Sequence, residues 1–465
     1  MSLIKSISGI RGTIGGLPNQ GLTPIDLVLF VSAFGQMIKD MSGNDGSKKC
    51  KVVVGRDART TGPLIEPLVT STLCMIGLDV IELGLATTPT VEMAVIGFEA
   101  QGGIILTASH NPGNWNALKL LNSRGEFFSE EDGVNLLNKV AAGRFSYSGI
   151  ENLGTIERKD FLESHINAIM ELSLVRKDLI EKADFTIVVD AVNSVGGFAI
   201  PAMLQALGVK NIICINCKPD GLFAHNPEPL PANLTEISDK VRDSAADLGI
   251  VVDPDVDRLA LVSENGQMFG EEYTLVAVSD YVLSHTPGST VSNLSSSRAL
   301  RDVTLGYGCE YTASAVGEVN VVEAMNRQQA VIGGEGNGGI IYPELHYGRD
   351  ALVGIALFLS HLASREVTMS ELKGRYPVYF MSKNKIVLND LGQADKILKQ
   401  VAFKYQDKDP DLRDGVKIDL PNGWIHLRKS NTEPILRVYT ESGSENESQE
   451  LAKKVIDEIS VLIQS

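Results

Sequence analysis

Ser109 lies in Leu106-Thr107-Ala108-Ser109-His110-Asn111-Pro112, directly after the apolar run Gly102-Gly103-Ile104-Ile105. That run, bounded by glycines, predicts a buried strand. A hydroxyl therefore stands where a strand ends and the chain turns at Asn-Pro. Ligands bind at that edge in open α/β sheets, so Ser109 is a candidate nucleophile, although the same residues also suit a plain turn. The second chemical stretch is Asp253-Pro254-Asp255-Val256-Asp257-Arg258. In a regular strand its three carboxylates would share a face about 6.5–7 Å apart, too far for all to reach one ion. The chain must curl there, and Pro254 at the end of an apolar strand favours that. Oxygen-only ligands select a hard cation, foremost Mg²⁺.

Three further stretches carry polar chemistry. Arg428-Lys429-Ser430-Asn431-Thr432-Glu433-Pro434 presents hydroxyls, an amide and two basic side chains, with Arg437 just beyond. Such a set suits a phosphate dianion. Gly333-Gly334-Glu335-Gly336-Asn337-Gly338-Gly339 reads as a loop whose glycines let the backbone approach a ligand. Glu335 and Asn337 there can hydrogen-bond neighbouring sugar hydroxyls. Lys119, after the serine loop, suits a general acid or base if nearby positive charge lowers its pKa. Arg11, in Ser8-Gly9-Ile10-Arg11-Gly12, is a fixed charge in flexible backbone and suits phosphate binding.

The elements that must position these residues follow from punctuation and periodicity. Thr23-Pro24 opens a helix with Leu27, Phe30, Val31, Phe34 and Ile38 on its apolar face. Ser42–Ser47 reads as a polar surface loop, Lys51–Gly55 as a buried strand, Gly62-Pro63 as the start of a helix ending before Gly77, and Val80–Gly84 as the next strand. This alternation up to Ser109 predicts a doubly wound sheet. The order recurs: a charged helical stretch from Arg158 to Glu181, strands at Phe185–Asp190, Asn211–Cys214 and Leu248–Val252, and a helix between Gly197 and Gly208. A third stretch holds helical runs at Tyr273–Ser284 and Leu352–Leu362. The tail differs in kind. Val416–Leu420 and Trp424–Leu427 predict a hairpin closed by Asn422-Gly423, Leu436–Tyr439 continues the sheet, and a helix from about Gln449 turns Leu451, Val455, Ile459 and Leu462 inward.

Composition sets the bounds. The 465 residues are 43% apolar and 22% charged, an ordinary globular balance with room for several domains. A net charge of −16 argues against nucleic acid or an anionic membrane as partner, but a local basic site for an anionic substrate remains compatible. No run of apolar residues is long enough to span a bilayer, and the N-terminus lacks a signal-peptide pattern. The five cysteines, odd and sparse, suit a reducing cytoplasm. Cys214-Ile215-Asn216-Cys217 has no second pair, which argues against zinc or redox use.

Taken in order, these pieces resemble the α-D-phosphohexomutase superfamily. The matching residues are Gly9-Ile10-Arg11-Gly12, Thr107 to Pro112, Asp253 to Arg258, Gly334-Glu335 and Arg428 to Pro434, with His225-Asn226-Pro227-Glu228-Pro229 and Val316-Gly317 as smaller matches. The resemblance spans the whole chain and lies closest to bacterial phosphoglucosamine mutases. It implies three similar α/β domains with mixed sheets plus a C-terminal α+β domain around a central cleft, here 1–152, 153–264, 265–372 and 373–465. It further implies a phosphorylated Ser109, one Mg²⁺ per chain, and a bisphosphorylated hexose as intermediate and activator. The catalytic set would be Ser109, Lys119, Arg11 and His110, and the metal set Ser109, Asp253, Asp255 and Asp257. Hexose phosphate would be held by Arg258, Gly317, Glu335, Asn337, Arg428, Ser430, Asn431, Thr432 and Arg437. The expected reaction interconverts glucosamine 6-phosphate and glucosamine 1-phosphate, in the cytoplasm, by a monomer or homodimer whose tail domain hinges.

Two departures bear on the sugar. The family often reads Gly-Glu-x-Ser-Gly-His in the sugar loop, whereas this chain has Asn337 and Gly339, with His346 or Arg349 as candidates to take over. Asn431 matches phosphomannomutase/phosphoglucomutase members, while Thr432-Glu433-Pro434 with Arg437 matches the glucosamine branch. Mannose or glucose phosphate is therefore the alternative substrate. A metal-dependent sugar phosphatase using one of the aspartates, and a non-catalytic sugar-phosphate sensor, are the alternatives of other classes.

Overall fold

The computed structural model describes residues 2–6, 9–41, 49–388, 391–430 and 435–464. Ser8, the Ser42–Ser47 stretch, Asn431, Thr432 and the side chain of Leu462 lie outside the described residues. The chain forms two units, Met1–Thr274 with Asn337–Leu372, and Leu275–Gly336 with Lys373–Ser465.

In the first unit, strand Lys51–Arg56 lies between the parallel strands Asp79–Leu85 and Gly102–Leu106. Strand Ile156–Arg158 extends this side in parallel. On the other side Trp115–Leu121, Gly9–Thr13 and Leu3–Ser6 follow, each antiparallel to its neighbour, so the sheet is mixed. Val52 and Val54 enter one core with Phe30, Phe34, Val69 and Leu73, and Val53 enters the other with Val91 and Val95. A strand buried on both faces needs no polar alternation, which is why this one reads as a continuous apolar run. A second mixed sheet runs in the order Leu259–Ser263, Leu248–Val252, Thr186–Asp190, Asn211–Ile215, with only the first pair antiparallel. Helix Ala351–Arg365 is buried from Ala351 through Ala363 and packs on helices Leu162–Met170, Lys177–Ala183 and Gly196–Ala206. A helix apolar all round belongs in an interior, as here.

In the second unit, Thr290–Asn293 lies in parallel between Tyr311–Ser314 and Ile332–Glu335. A separate antiparallel sheet runs in the order Phe380–Val387, Ile435–Ser442, Gly423–Lys429, Val416–Leu420. Ile397 and Val401 of helix Leu391–Lys404, and Val455 and Ile459 of helix Glu445–Gln464, cover one of its faces. The whole is a four-domain α/β architecture with mixed sheets. Among the described residues no helix is long and apolar enough to cross a membrane.

Four local readings differ from the structure. The stretch expected to be one charged helical run holds strand Ile156–Arg158 and two helices, Leu162–Met170 and Lys177–Ala183. The hairpin turns on Pro421-Asn422, neither with positive φ, because Leu420 already pairs with Gly423. Glu441 O would lie 1.9 Å from a Cβ at 423, so this glycine serves close strand packing rather than a turn. The last helix starts at Glu445, one turn earlier than its apolar pattern shows. The glycine-rich stretch is only partly loop, since Ile332–Glu335 and Gly339–Ile341 are strands. Its glycines answer to packing: a Cβ at Gly333 would meet Met325 Sδ at 2.5 Å, and one at Gly338 (φ +84°) would meet Leu259 O at 2.2 Å. Gly338→Ala is therefore expected to destabilise the first unit by about 1–3 kcal/mol, read as a lower urea midpoint with unchanged slope. An unaltered midpoint would show that the backbone relaxes there.

Candidate active site

Ser109 is 7% exposed and left-handed, with φ +48°, in a residue type that seldom adopts that region. Neighbouring groups hold it there. Its N–H donates to Thr107 Oγ1 at 3.0 Å, and Thr107 Oγ1 donates to Asp57 Oδ2 at 2.7 Å. Arg59, fully buried, is the clamp of the loop. Its Nη1 donates to the carbonyls of Pro112 (2.7 Å) and Trp115 (3.0 Å), its Nη2 to those of Ser109 and Asn111, and its Nε to Asp57 Oδ2 (3.0 Å). Phe223 lies against the guanidinium, 5.0 Å from ring centre to Cζ. The serine loop is thus tied by one side chain to a strand end some fifty residues earlier.

The tether positions Ser109 Oγ to donate to Asp253 Oδ2 at 2.7 Å, across 144 positions of sequence. Asp253, Asp255 and Asp257 are each 0% exposed, and one oxygen from each lies within 4.8 Å of the others. The required curl is present. The N–H groups of Asp257 and Arg258 both donate to Asp253 Oδ1 at 3.1 Å, and Val256 takes φ +64°, a strained conformation for a β-branched residue. Asp255 is also fastened by Thr88, whose N–H reaches its carbonyl at 2.8 Å and whose hydroxyl reaches Oδ2 at 2.6 Å.

Positive groups surround the carboxylates. Lys119 Nζ lies 2.7 Å from Asp255 Oδ2 and 3.3 Å from Asp257 Oδ2, and Arg349 Nη2 lies 2.6 Å from Asp257 Oδ2. Burial alone would lower the Lys119 pKa, but Asp255 and Asp257 outweigh it and raise it well above the ordinary lysine value. The charges nearest this lysine are negative, the opposite of the positive neighbours that would lower its pKa. Burial, then Asp257 and Asp255, push the Asp253 carboxyl well above the usual range. Asp257 is held below it, since Arg349 and Lys119 overcome the effect of burial. His110, whose Nδ1 is 3.3 Å from Ser109 Oγ, is kept neutral by burial and by Arg258. Arg11 lies opposite Ala117 in the neighbouring strand, and burial and Arg258 lower its pKa.

The donor set fits a hard divalent cation. Asp255 Oδ1 and Asp257 Oδ1 are buried and have no hydrogen-bond partner. Orphaned carboxylate oxygens in one cavity with a third carboxylate carry a high desolvation cost, which an oxygen-seeking ion removes. By contrast, Cys214 is exposed, while burial and the neighbouring Cys214 push the Cys217 thiol well up, so Cys217 keeps its proton.

The second unit gathers another part of the expected set. Glu335 Oε1 accepts from Asn293 Nδ2 at 2.8 Å and from the N–H of Gly317 at 3.1 Å. Gly317 has φ +118°, which glycine alone adopts readily. The adjacent Val316 N–H donates to Asp414 Oδ2 (3.0 Å), which also accepts from Arg428 Nε at 2.6 Å. One chain of contacts therefore joins Glu335, Gly317 and Arg428. Arg428 stands directly opposite Arg437 in the strand pairing. Like charges so placed repel, and an anion between them reverses the sign. Ser430 is buried, its N–H bonded to Ile435 O at 3.0 Å. Asn337 belongs to the first unit, where its Oδ1 accepts from the N–H of Gly339 at 3.2 Å.

Sequence reasoning missed Arg59, Thr88, Asn293 and Asp414, and named Arg349 only as a candidate to replace the sugar-loop histidine. Asp57-x-Arg59 after a strand was a signal for the clamp, while the others are separated from their partners by many residues. Gly339 explains the course of Arg349: a Cβ at 339 would lie 2.4 Å from Arg349 Cδ, so the missing side chain leaves the arginine its route to Asp257.

The fold and the serine–aspartate site define a phosphohexomutase, an isomerase that moves a phosphoryl group within a sugar phosphate. The family models for phosphoglucomutase/phosphomannomutase match all four parts: the alpha/beta/alpha domains I, II and III at residues 4–146, 163–266 and 270–379, and the C-terminal domain at 384–458. The chain belongs to this family, within the α-D-phosphohexomutase superfamily. It is 33% identical to a phosphoglucomutase/phosphomannomutase of Thermococcus kodakarensis, covering 96% of this chain and 98% of that one. It is 32% identical to a probable phosphoglucosamine mutase of Methanopyrus kandleri, over 97% and 96% of the two chains. A solved family protein from Burkholderia thailandensis superposes with a TM-score of 0.82 at 26% identity, covering 96% of each chain.

The clamp makes a clear prediction. Arg59→Lys leaves several loop carbonyls without their donors, since lysine cannot present the planar fork. A loss of about 2–4 kcal/mol in stability and faster amide exchange across 107–116 are expected. Unchanged exchange in that segment would refute the clamp.

Proposed function

We propose that this phosphohexomutase interconverts glucosamine 6-phosphate and glucosamine 1-phosphate through a phosphorylated Ser109. The observation that carries the reading is the 2.7 Å contact of Ser109 Oγ with Asp253, beside two carboxylate oxygens that have no partner. Asp253, Asp255, Asp257 and the serine oxygen would hold Mg²⁺, which offsets charge on the transferring phosphoryl oxygens.

The chain's own residues account for the rest. The P–Oγ bond of phosphoserine breaks as a P–O bond forms to the free hydroxyl of the sugar phosphate, giving a bisphosphorylated hexose. After that intermediate turns over, its other phosphate returns to Ser109 Oγ by the reverse exchange. The hydroxyl proton passes to the serine oxygen and later back, and neutral His110 at 3.3 Å is suited to carry it. Lys119, held charged by Asp255 and Asp257, stabilises negative charge on the phosphoryl group rather than acting as a base. Arg11 and Arg258 add to that field, and Arg349 stands in for the side chain that Gly339 lacks.

Arg428 and Arg437 hold the phosphate that is not reacting, together with Ser430, Asn431 and Thr432. Glu335, Gly317 and Asn337 read the ring, and a carboxylate at 335 suits the 2-ammonium group of glucosamine. Support for the amino sugar also comes from relatives named for it, including a phosphoglucosamine/phosphogalactosamine mutase of Sulfurisphaera tokodaii at 31% identity. Glucose or mannose phosphate is the second reading, favoured by the name of the Thermococcus relative. Five free cysteines agree with a reducing cytoplasm.

Initial rates with the 6-phosphates of glucosamine, glucose and mannose, each primed with its bisphosphate, test the substrate. Glucosamine 6-phosphate should turn over fastest, and faster conversion of the other two would replace it. Peptide mapping should find one phosphoryl group on Ser109, and Ser109→Ala should abolish turnover. A Ser109→Ala enzyme that still released inorganic phosphate would be a phosphatase instead. Asp255→Asn should lower kcat about 10²–10³-fold with KM little changed, because the lost charge acts on the transferring group.

A further inference from the structure

A second cluster of ligating side chains lies in the first unit, and the reaction described above makes no use of it. His165, in helix Leu162–Met170, is 0% exposed, and His346 and Asp350, ahead of helix Ala351–Arg365, are 5% and 0% exposed. His165 Nε2 lies 2.9 Å from Asp350 Oδ2, and His346 Nε2 lies 3.3 Å from that same oxygen. All three ligand atoms fall within 4.8 Å of one another. The edges of a tetrahedron around an ion with bonds of about 2.0–2.1 Å measure about 3.3 Å, so the sides of 2.9 and 3.3 Å lie within a few tenths of an ångström of what a four-coordinate ion requires.

The outer contacts point the same way. A ligating histidine gives its other ring N–H to an oxygen, which fixes the tautomer and the ring plane. Both rings here turn Nδ1 toward an oxygen on the side away from the shared point. His165 Nδ1 is 3.0 Å from Thr90 Oγ1, and His346 Nδ1 is 3.5 Å from Glu92 Oε2. Asp350 is oriented too, since its Oδ1 accepts from the N–H groups of Leu352 (2.8 Å) and Val353 (3.3 Å), leaving Oδ2 to face the two rings. The two rings stand nearly perpendicular, at 85°, with centroids 6.2 Å apart, so both nitrogens converge without stacking.

We propose that His165 Nε2, His346 Nε2 and Asp350 Oδ2 form a second metal site, for a divalent transition metal with Zn²⁺ foremost, with water as the fourth ligand. Two imidazoles and one carboxylate select such an ion over Mg²⁺, so the site differs in kind from the aspartate triad. A bound ion takes an unprotonated Nε2 from each neutral ring, whose one proton then stands on Nδ1, the nitrogen that faces Thr90 or Glu92. The ion would tie helix Leu162–Met170 to the start of helix Ala351–Arg365, 185 positions apart, and so stabilise the first unit. The site lies one residue from Arg349 and would brace it, without touching the reacting groups.

The test uses full-length protein produced with Co²⁺ and freed of loosely held ions by EDTA, and it needs no activity. Expected is one retained Co²⁺ per chain with the strong visible absorption of a four-coordinate ion having nitrogen ligands. His165→Gln and His346→Gln should each lose that ion and its spectrum, while Asp255→Asn keeps both. No retained ion, or only the weak spectrum of an all-oxygen six-coordinate ion, would leave the cluster a purely hydrogen-bonded one and overturn the proposal. Retention unaltered in both histidine variants would do the same. If a variant fails to fold, the wild-type spectrum and metal content by mass spectrometry decide.

Discussion

Three aspartates, each buried to 0% exposure and with oxygens within 4.8 Å of one another, form the constraint that the rest of the first unit answers to. Carboxylates taken out of water repel one another strongly and are tolerated only where positive charge and donors converge on them. Lys119 and Arg349 approach from two separate parts of the chain, and Thr88 and the Asp257 and Arg258 amides supply hydrogen bonds. Even so, two oxygens stay without partners. The arrangement is that of a site built for a cation and an anionic group together, and much less that of a structural salt-bridge network.

Backbone strain accompanies this charge arrangement. Ser109 and Val256 both adopt positive φ, on the two loops that face each other across the site. Such conformations persist only where surrounding contacts over-determine them. For Ser109 the contacts come from Thr107, Asp57 and the buried fork of Arg59, whose donors meet four loop carbonyls. The serine oxygen is thereby held by a network of buried hydrogen bonds, which suits the phosphoryl exchange proposed for it.

The second unit answers to the opposite charge. Arg428 and Arg437 face each other across paired strands, with Asp414 engaging only the first through Nε. The same Asp414 holds Val316, and through the next residue the N–H that fixes Glu335. The arginines proposed to hold phosphate and the carboxylate proposed to read the ring are thus joined by hydrogen bonds inside one unit. Three hydrogen bonds, with the Val316–Gly317 peptide between the last two, link the basic strand to the carboxylate.

The sequence by itself determined the class of many elements and the two strongest motifs. Apolar runs ending in polar turns give strands and strand-end sites by local sterics and burial, so Lys51–Arg56, Gly102–Leu106 and Leu248–Val252 were legible, as was the need for Asp253 to Asp257 to curl. Family resemblance supplied the expected roles. The protonation behaviour of Lys119 was not legible, because it depends on which charges are nearest in space, and those come from residues 136 and 138 positions away. The clamp made by Arg59, the contact of Arg349 with Asp257 and the approach of His165 to Asp350 were hidden for the same reason: the partners lie far along the chain. The glycines at 333 and 338 were misread because sequence shows where backbone freedom exists, while only packing shows whether a ligand or a neighbouring strand occupies the space beside it. Local pattern fixes secondary structure; electrostatic environment is a sum over neighbours that only the tertiary fold assembles.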